Sequence, residues 1–194
     1  MNANCDQTRN PSITSHKGSL IFASGLIGLL LMFRVHFALY IAKGESMLPF
    51  LRSGDLVLVD KLAYRAKDPK RGDIVVAREH YDIIVKRLVG LPSEEIELHQ
   101  GKLYVNRLPL AEEYAVKPGQ LSLRRGRLFD DKYALLGDNR SVSSSVFVHA
   151  VVSKDQILGK VIHSIRLWPG WLRPGFNQAA DTGVLRTKGI KLGP

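Results

Sequence analysis

Ser46 stands in the stretch KGESMLPFLRSGD, residues 43 to 55, between a Gly-Glu turn and a Met-Leu-Pro run. A serine attacks a carbonyl only when a neighbouring group takes its proton. The six histidines, His16, His36, His80, His99, His149 and His163, are scattered, and none has a context suited to a Ser-His-Asp triad. The single cysteine, Cys5, lies in a polar leader, which excludes an intrachain disulfide and a cysteine-based zinc cluster. The remaining candidate base is a lysine kept neutral by burial, and Lys86 has the required setting, flanked by Ile83, Ile84, Val85, Leu88 and Val89. Alternation along a strand puts Ile84, Lys86 and Leu88 on one face and Val85, Arg87 and Val89 on the other. Lys86 can then be buried while Arg87 stays in water. The plainer alternative makes Lys86 a protective charge on an edge strand. No phosphate loop and no His and carboxylate cluster at metal spacing occurs, so neither a metal nor an organic cofactor is expected.

The elements that must carry these residues divide unevenly along the 194-residue chain. Residues 19 to 33, SLIFASGLIGLLLMF, hold no charge. As a helix they cover about 22 Å, which Lys17 and Arg34 can extend by snorkelling toward a full span of the bilayer core. Residues 19–36 are expected to be a retained, single-pass transmembrane anchor, because no small-x-small cleavage site with a polar sequel follows. Arg9, His16 and Lys17 would keep a leader, 1–18, in the cytoplasm and leave the bulk of the protein outside. The net charge of +10 suits an anionic bilayer surface as well as nucleic acid. No aromatic and basic stacking pattern supports the latter, so nucleic acid is not an expected partner.

Residues 37–168 read as a mainly β domain, with short apolar runs broken by Gly, Pro, Asn and Asp. Candidate strands are HFALYIA, LVLVDKLA, DIVVARE, DIIVKRLVG, EIELHQ, KLYVNR, KYALLG and QILGKVIHSIRL. HQGKLYVN predicts a hairpin turning at Gly101. Residues 108 to 131 are more polar and predict a long exposed excursion, and 169–194 a polar tail with little fixed structure.

Four ordered blocks over roughly residues 40 to 165 resemble the type I signal peptidases, membrane-bound serine proteases that remove signal peptides from exported proteins. GESMLPFLRSGDLVLVDK resembles the family's Ser-Met nucleophile block, and KRGDIVVA at 70 to 77 its Arg-Gly-Asp strand. VKRLVGLPSEEIEL at 85 to 98 resembles the lysine block, and LLGDNRSVSSSV at 135 to 146 the Gly-Asp-Asn block. ILGKV matches the closing strand. The resemblance implies the signal-peptidase β-fold, shared with self-cleaving repressors, behind one N-terminal transmembrane helix. It implies Ser46 as nucleophile and Lys86 as general base, an acyl-enzyme on the serine, and an oxyanion held by the Ser46 backbone N–H. Gly44 stands where some relatives carry a second, hydroxyl donor. Met47 and Pro49 are expected to fix the turn and bury beside a bilayer-facing rim.

Ser143 falls where the family places a serine that orients the lysine, with Asp138 and Asn139 in support. Ser145, Phe147 and Ala150 replace the family's usual Asp, Arg and Gly. A paired loss of Asp and Arg strands no charge. Substrates would be exported preproteins, lying extended against a strand edge with small side chains, above all Ala, at the first and third positions before the cut. Ala42, Lys43, Met47, Ile83, Ile84 and Val85 are the candidate substrate-binding residues. The implied location is the inner (plasma) membrane, with the catalytic domain on the extracytoplasmic side and the lipid bilayer as a partner. Alternatives are a maturation peptidase dedicated to a pilin-type substrate, a self-cleaving repressor, whose DNA-binding domain the 19–33 segment replaces, and a catalytically degenerate, membrane-tethered peptide binder.

Overall fold

The structure is a computed structural model that describes residues 15–142 and 149–166, with the side chains of 15–18 and 20 excepted. The leader to residue 14, the tail beyond 166, and Ser143, Ser145 and Phe147 lie outside the described residues. The chain forms two units, divided between His36 and Phe37.

The first unit contains α1 (Ser15–His36). Its 22 residues correspond to about 33 Å of helix. Arg34 and His36 in the last turn complement the helix dipole, and the His36 ring bonds the Met32 carbonyl at 2.9 Å. Apolar side chains along it, among them Phe22, Leu26, Leu29 and Met32, are exposed. Over the described residues alone, no helix is long and apolar enough to cross a membrane.

The second unit is mainly β. Its strands are β1 (Phe37–Ile41), β2 (Leu56–Asp60), β3 (Ile74–Glu79), β4 (Asp82–Gly90), β5 (Glu95–His99), β6 (Lys102–Val105), β7 (Leu108–Pro109), β8 (Leu123–Arg127), β9 (Lys132–Leu136), β10 (His149–Ser153) and β11 (Ile157–Ile165). Among the described residues they form a seven-stranded antiparallel sheet, in the order β1-β2-β11-β3-β4-β9-β10, and a four-stranded one, β7-β6-β5-β8. The β5–β6 hairpin turns at Gln100 and Gly101, both at positive φ, as HQGKLYVN predicts.

Strand β4 is central. It pairs with β3 along Asp82–Arg87, but with β9 only from Arg87 to Gly90. Among the described residues its N-terminal half, Asp82 to Lys86, therefore has a strand on one side only. Both faces of β4 are packed. Val85 belongs to a core cluster with Ala42, Met47, Val57, Val59 and Val76, whereas Ile84 and Leu88 join Val75, Ala77, Tyr133 and Leu135. A third cluster, Val89, Leu98, Leu103, Leu121, Leu128 and Leu136, joins strands from the two sheets.

Two expectations are corrected here. Residues 108 to 131 are not simply an exposed excursion: they supply β7 and β8, and Leu121 and Leu128 are buried in the third cluster. Leu121 alternates with Leu123 for a single repeat and Leu128 stands beside the exposed Phe129, so neither belongs to an apolar pattern long enough to predict its burial. Arg87 is not in water but 6% exposed. A strand with cores on both faces offers no wet side, and the guanidinium is buried because it finds a carboxylate.

Candidate active site

The loop between β1 and β2 carries Ser46. Its base is closed by two backbone bonds, from Ala42 N to Asp55 O and from Gly54 N to Ala42 O, each 2.8 Å. Met47 and Leu51 anchor it in the core, and Leu51 N donates to Met47 O at 2.9 Å. Pro49, preceded by a cis peptide bond, is exposed rather than buried as expected, because the chain turns outward there between the two anchors.

Lys86 projects from β4 and is fully buried at 0% exposure. Its Nζ lies 2.7 Å from Ser46 Oγ and 3.2 Å from the Val85 carbonyl oxygen. Burial pushes the ammonium down to about 8 from the usual 10.5, against the opposing pull of the Glu79 and Asp138 carboxylates. A neutral amine at this distance can accept the Ser46 proton.

The segment after β9 holds the serine from behind. Asn139 N donates to Ser46 O at 2.9 Å, and Asn139 Nδ2 donates to Glu45 O at 3.0 Å. Gly137 passes so close that a β-carbon there would meet Ser46 O at 2.5 Å, so only glycine fits. Asp138, fully buried, accepts two bonds from Arg87, Nε to Oδ1 at 2.9 Å and Nη2 to Oδ2 at 2.7 Å. The same guanidinium donates to Gly72 O at 2.9 Å and lies 3.9 Å from the Tyr114 ring centroid. Arg140 is fully buried too, donating to Gly137 O, Gly101 O and Glu112 Oε1 at 2.8, 3.0 and 2.6 Å. Residues 112 to 117 thus lie as a strap along 138 to 140, and Lys117 N donates to Asp138 O at 2.9 Å.

Ser46, Lys86, Asp138 and Asn139 come together. Ala42, Met47 and Val85 share one core cluster, with Ile83 packed against it, whereas Ile84 faces the other cluster and Lys43 is partly exposed. Ala150 is buried at 2% in the core cluster that also holds Tyr133 and Val152. The Arg87–Asp138 pair, Arg140 and Glu112 escaped the sequence reasoning. Arg140 directly follows Asn139 and was available as a signal; Glu112 and Tyr114 sit in the segment taken for an excursion and gave none. Among the described residues, no group of three or more His, Cys, Asp or Glu is placed to hold a metal ion. A cleft of about 670 Å³ lined by Lys61, Tyr64, Asp130 and Lys154 includes neither Ser46 nor Lys86. Ser46 and Lys86 instead adjoin the part of β4 that β9 does not pair among the described residues.

An antiparallel, mainly β unit with a buried lysine on a serine hydroxyl defines the class. The profile of the family described as "Signal peptidase, peptidase S26" matches residues 14–168. A "Probable signal peptidase I-2" of Synechocystis sp. is 36% identical over 133 residues, 64% of this chain and 60% of that protein. A "Probable signal peptidase I-1" of the same organism is 33% identical over 153 residues, 74% of this chain and 78% of the relative. A "Signal peptidase IB" of Staphylococcus aureus is 34% identical over 149 residues, 67% and 77% of the two chains. A crystal structure of a signal peptidase I from Enterococcus faecalis V583 aligns at a TM-score of 0.39 and 25% identity, over 49% of this chain and 97% of that one. This chain belongs to the signal peptidase, peptidase S26, family. It spans 60% of the length of the first of these relatives.

Proposed function

We propose that this protein is a membrane-bound serine endopeptidase that cleaves signal peptides from exported preproteins after Ala-x-Ala-like sites. Ser46 Oγ attacks the scissile carbonyl while the neutral Lys86 amine takes its proton. The resulting ammonium returns that proton to the leaving amine, and the acyl-enzyme is then hydrolysed by water that Lys86 activates in turn. The Ser46 N–H receives the oxyanion. The observation that carries this reading is the 2.7 Å contact between Ser46 Oγ and a lysine amine excluded from water. The preprotein lies along Asp82–Lys86, adding a strand where β9 does not pair, with its small side chains directed toward Ala42, Ile83 and Val85. Ser143, outside the described residues, is the candidate for orienting Lys86 on its sequence position alone.

The α1 helix is the single-pass anchor that keeps this site at the extracytoplasmic face of the plasma membrane. Its uncharged run from Ser19 to Phe33 and the exposure of its apolar side chains support this, with Lys17 and Arg34 completing the span. Carbonate extraction of membranes tests the anchor, and release of the intact chain into the soluble fraction would refute it. Cleavage of a model preprotein with an Ala-x-Ala site by detergent-solubilised full chain tests the activity.

A further inference from the structure

Two carboxylates favour the Lys86 ammonium against the effect of its burial, Glu79 first and then Asp138. Asp138 has both oxygens engaged by Arg87. Glu79 differs: its Oε2 is buried and has no hydrogen-bond partner among the described residues. The β3–β4 register pairs Val75 with Lys86, Ala77 with Ile84 and Glu79 with Asp82. Alternation along both strands therefore puts Val75, Ala77 and Glu79 on the hairpin face that carries Ile84 and Lys86. Val75, Ala77 and Ile84 are all buried, so a low-dielectric floor of apolar side chains lies between the two charged groups. Solvent screens such a pair weakly.

We infer that Glu79 is a positioning residue for the proposed dyad: its carboxylate, with Oε2 buried and unbonded on the hairpin face of Lys86, favours the ammonium form and so sets the pH at which Ser46 becomes a nucleophile. This rests on the proposed roles of Ser46 and Lys86. The other charged groups around the pair are Asp138 against Lys86, and His80 and Asp82 against Glu79. Residues 143 to 148, SSSVFV, carry no titratable side chain beyond serine hydroxyls. Burial and the facing Asp82 carboxylate raise the Glu79 carboxyl, while His80 and Lys86 lower it. Above the range in which Glu79 itself protonates, its negative charge holds a proton on Lys86 that burial alone would release. Removing it leaves the lysine neutral at lower pH.

The test compares wild type with Glu79→Gln and Glu79→Asp, all as full chains in detergent, in two ways. One is the pH profile of kcat/KM on an Ala-x-Ala preprotein. The other is the Lys86 titration followed by NMR of isotope-labelled lysine in a Ser46→Ala background, which needs no activity. Glu79→Gln is expected to move both acid limbs to lower pH by roughly one unit, so that on the limb kcat/KM, relative to its own plateau, rises about tenfold. Glu79→Asp should retain most of the wild-type behaviour, which a merely structural glutamate at this position would not require. If Glu79→Gln folds, cleaves and titrates as wild type does, the inference is overturned while the dyad stands. If wild-type Lys86 titrates like a free lysine, the dyad reading falls and the inference with it.

Discussion

Replacing Lys86 by Met should inactivate the protein and make it more stable at neutral pH. The buried amine titrates near 8 in the folded chain and at 10.5 when unfolded. Between these values the unfolded state binds one more proton, so stability rises with pH across that window and the cost of charging the lysine is complete below it. The difference corresponds to about 3 kcal/mol. A methionine fills a similar volume without the charge, while Ser46, 8% exposed, loses its partner at about 1 kcal/mol. The expected net gain is about 2 kcal/mol at pH 7, shrinking to nothing at about pH 10 and reversed in sign by pH 10.5. Urea denaturation of the full chain at pH 7 and pH 10.5, with the slope checked for constancy, measures it. A Lys86→Met protein less stable than wild type at pH 7, or equally changed at both pH values, would refute the idea that burial makes the Lys86 ammonium costly and lowers its pKa.

The same titration predicts that kcat/KM rises about tenfold per pH unit below 8 and levels off above it, because the neutral amine is the active form. A pH–rate profile flat from 6 to 10 would contradict this. Asp138→Ala leaves Arg87 buried without its partner and is expected to cost about 3–5 kcal/mol, most of which the double variant Asp138→Leu with Arg87→Met restores; chemical denaturation of both gives the comparison. Gly137→Ala forces a β-carbon against the Ser46 carbonyl, and displacement of the nucleophile should lower kcat/KM about a hundredfold while the Lys86 titration by NMR persists.

How much of this was legible from sequence varies with the local chemistry. Strand β4 runs from Asp82 to Gly90 in the structure as in the reading of DIIVKRLVG, because an apolar run is bounded there by a turn and by Gly-Leu-Pro. Arg87 was misplaced because alternation assumes one wet face, and a central strand between two cores has none. Strand β8 was missed for another reason: LRRGR has no apolar pattern, and it is a strand because β5 offers it a partner. Long-range pairing of that kind is not written in the local residues. The meeting of Ser46 with Lys86, 40 positions apart, follows from no periodicity. Resemblance to known blocks suggested it, and the geometry then supplied the distance, the burial and the shifted amine. The strap at 112 to 117 was illegible because its anchors, Glu112 and Tyr114, look like ordinary surface residues until Arg140 and Arg87 are seen beneath them.

Cleavage of an Ala-x-Ala preprotein by detergent-solubilised wild type, Ser46→Ala and Lys86→Ala proteins, with the new N-terminus sequenced, bears most directly on whether these two residues form a working dyad. Wild type is expected to cut after the second Ala, and each variant to lose the activity while keeping the wild-type far-UV circular dichroism. Cleavage that persists in either variant, or a wild type inert on several preproteins, would contradict the proposed activity.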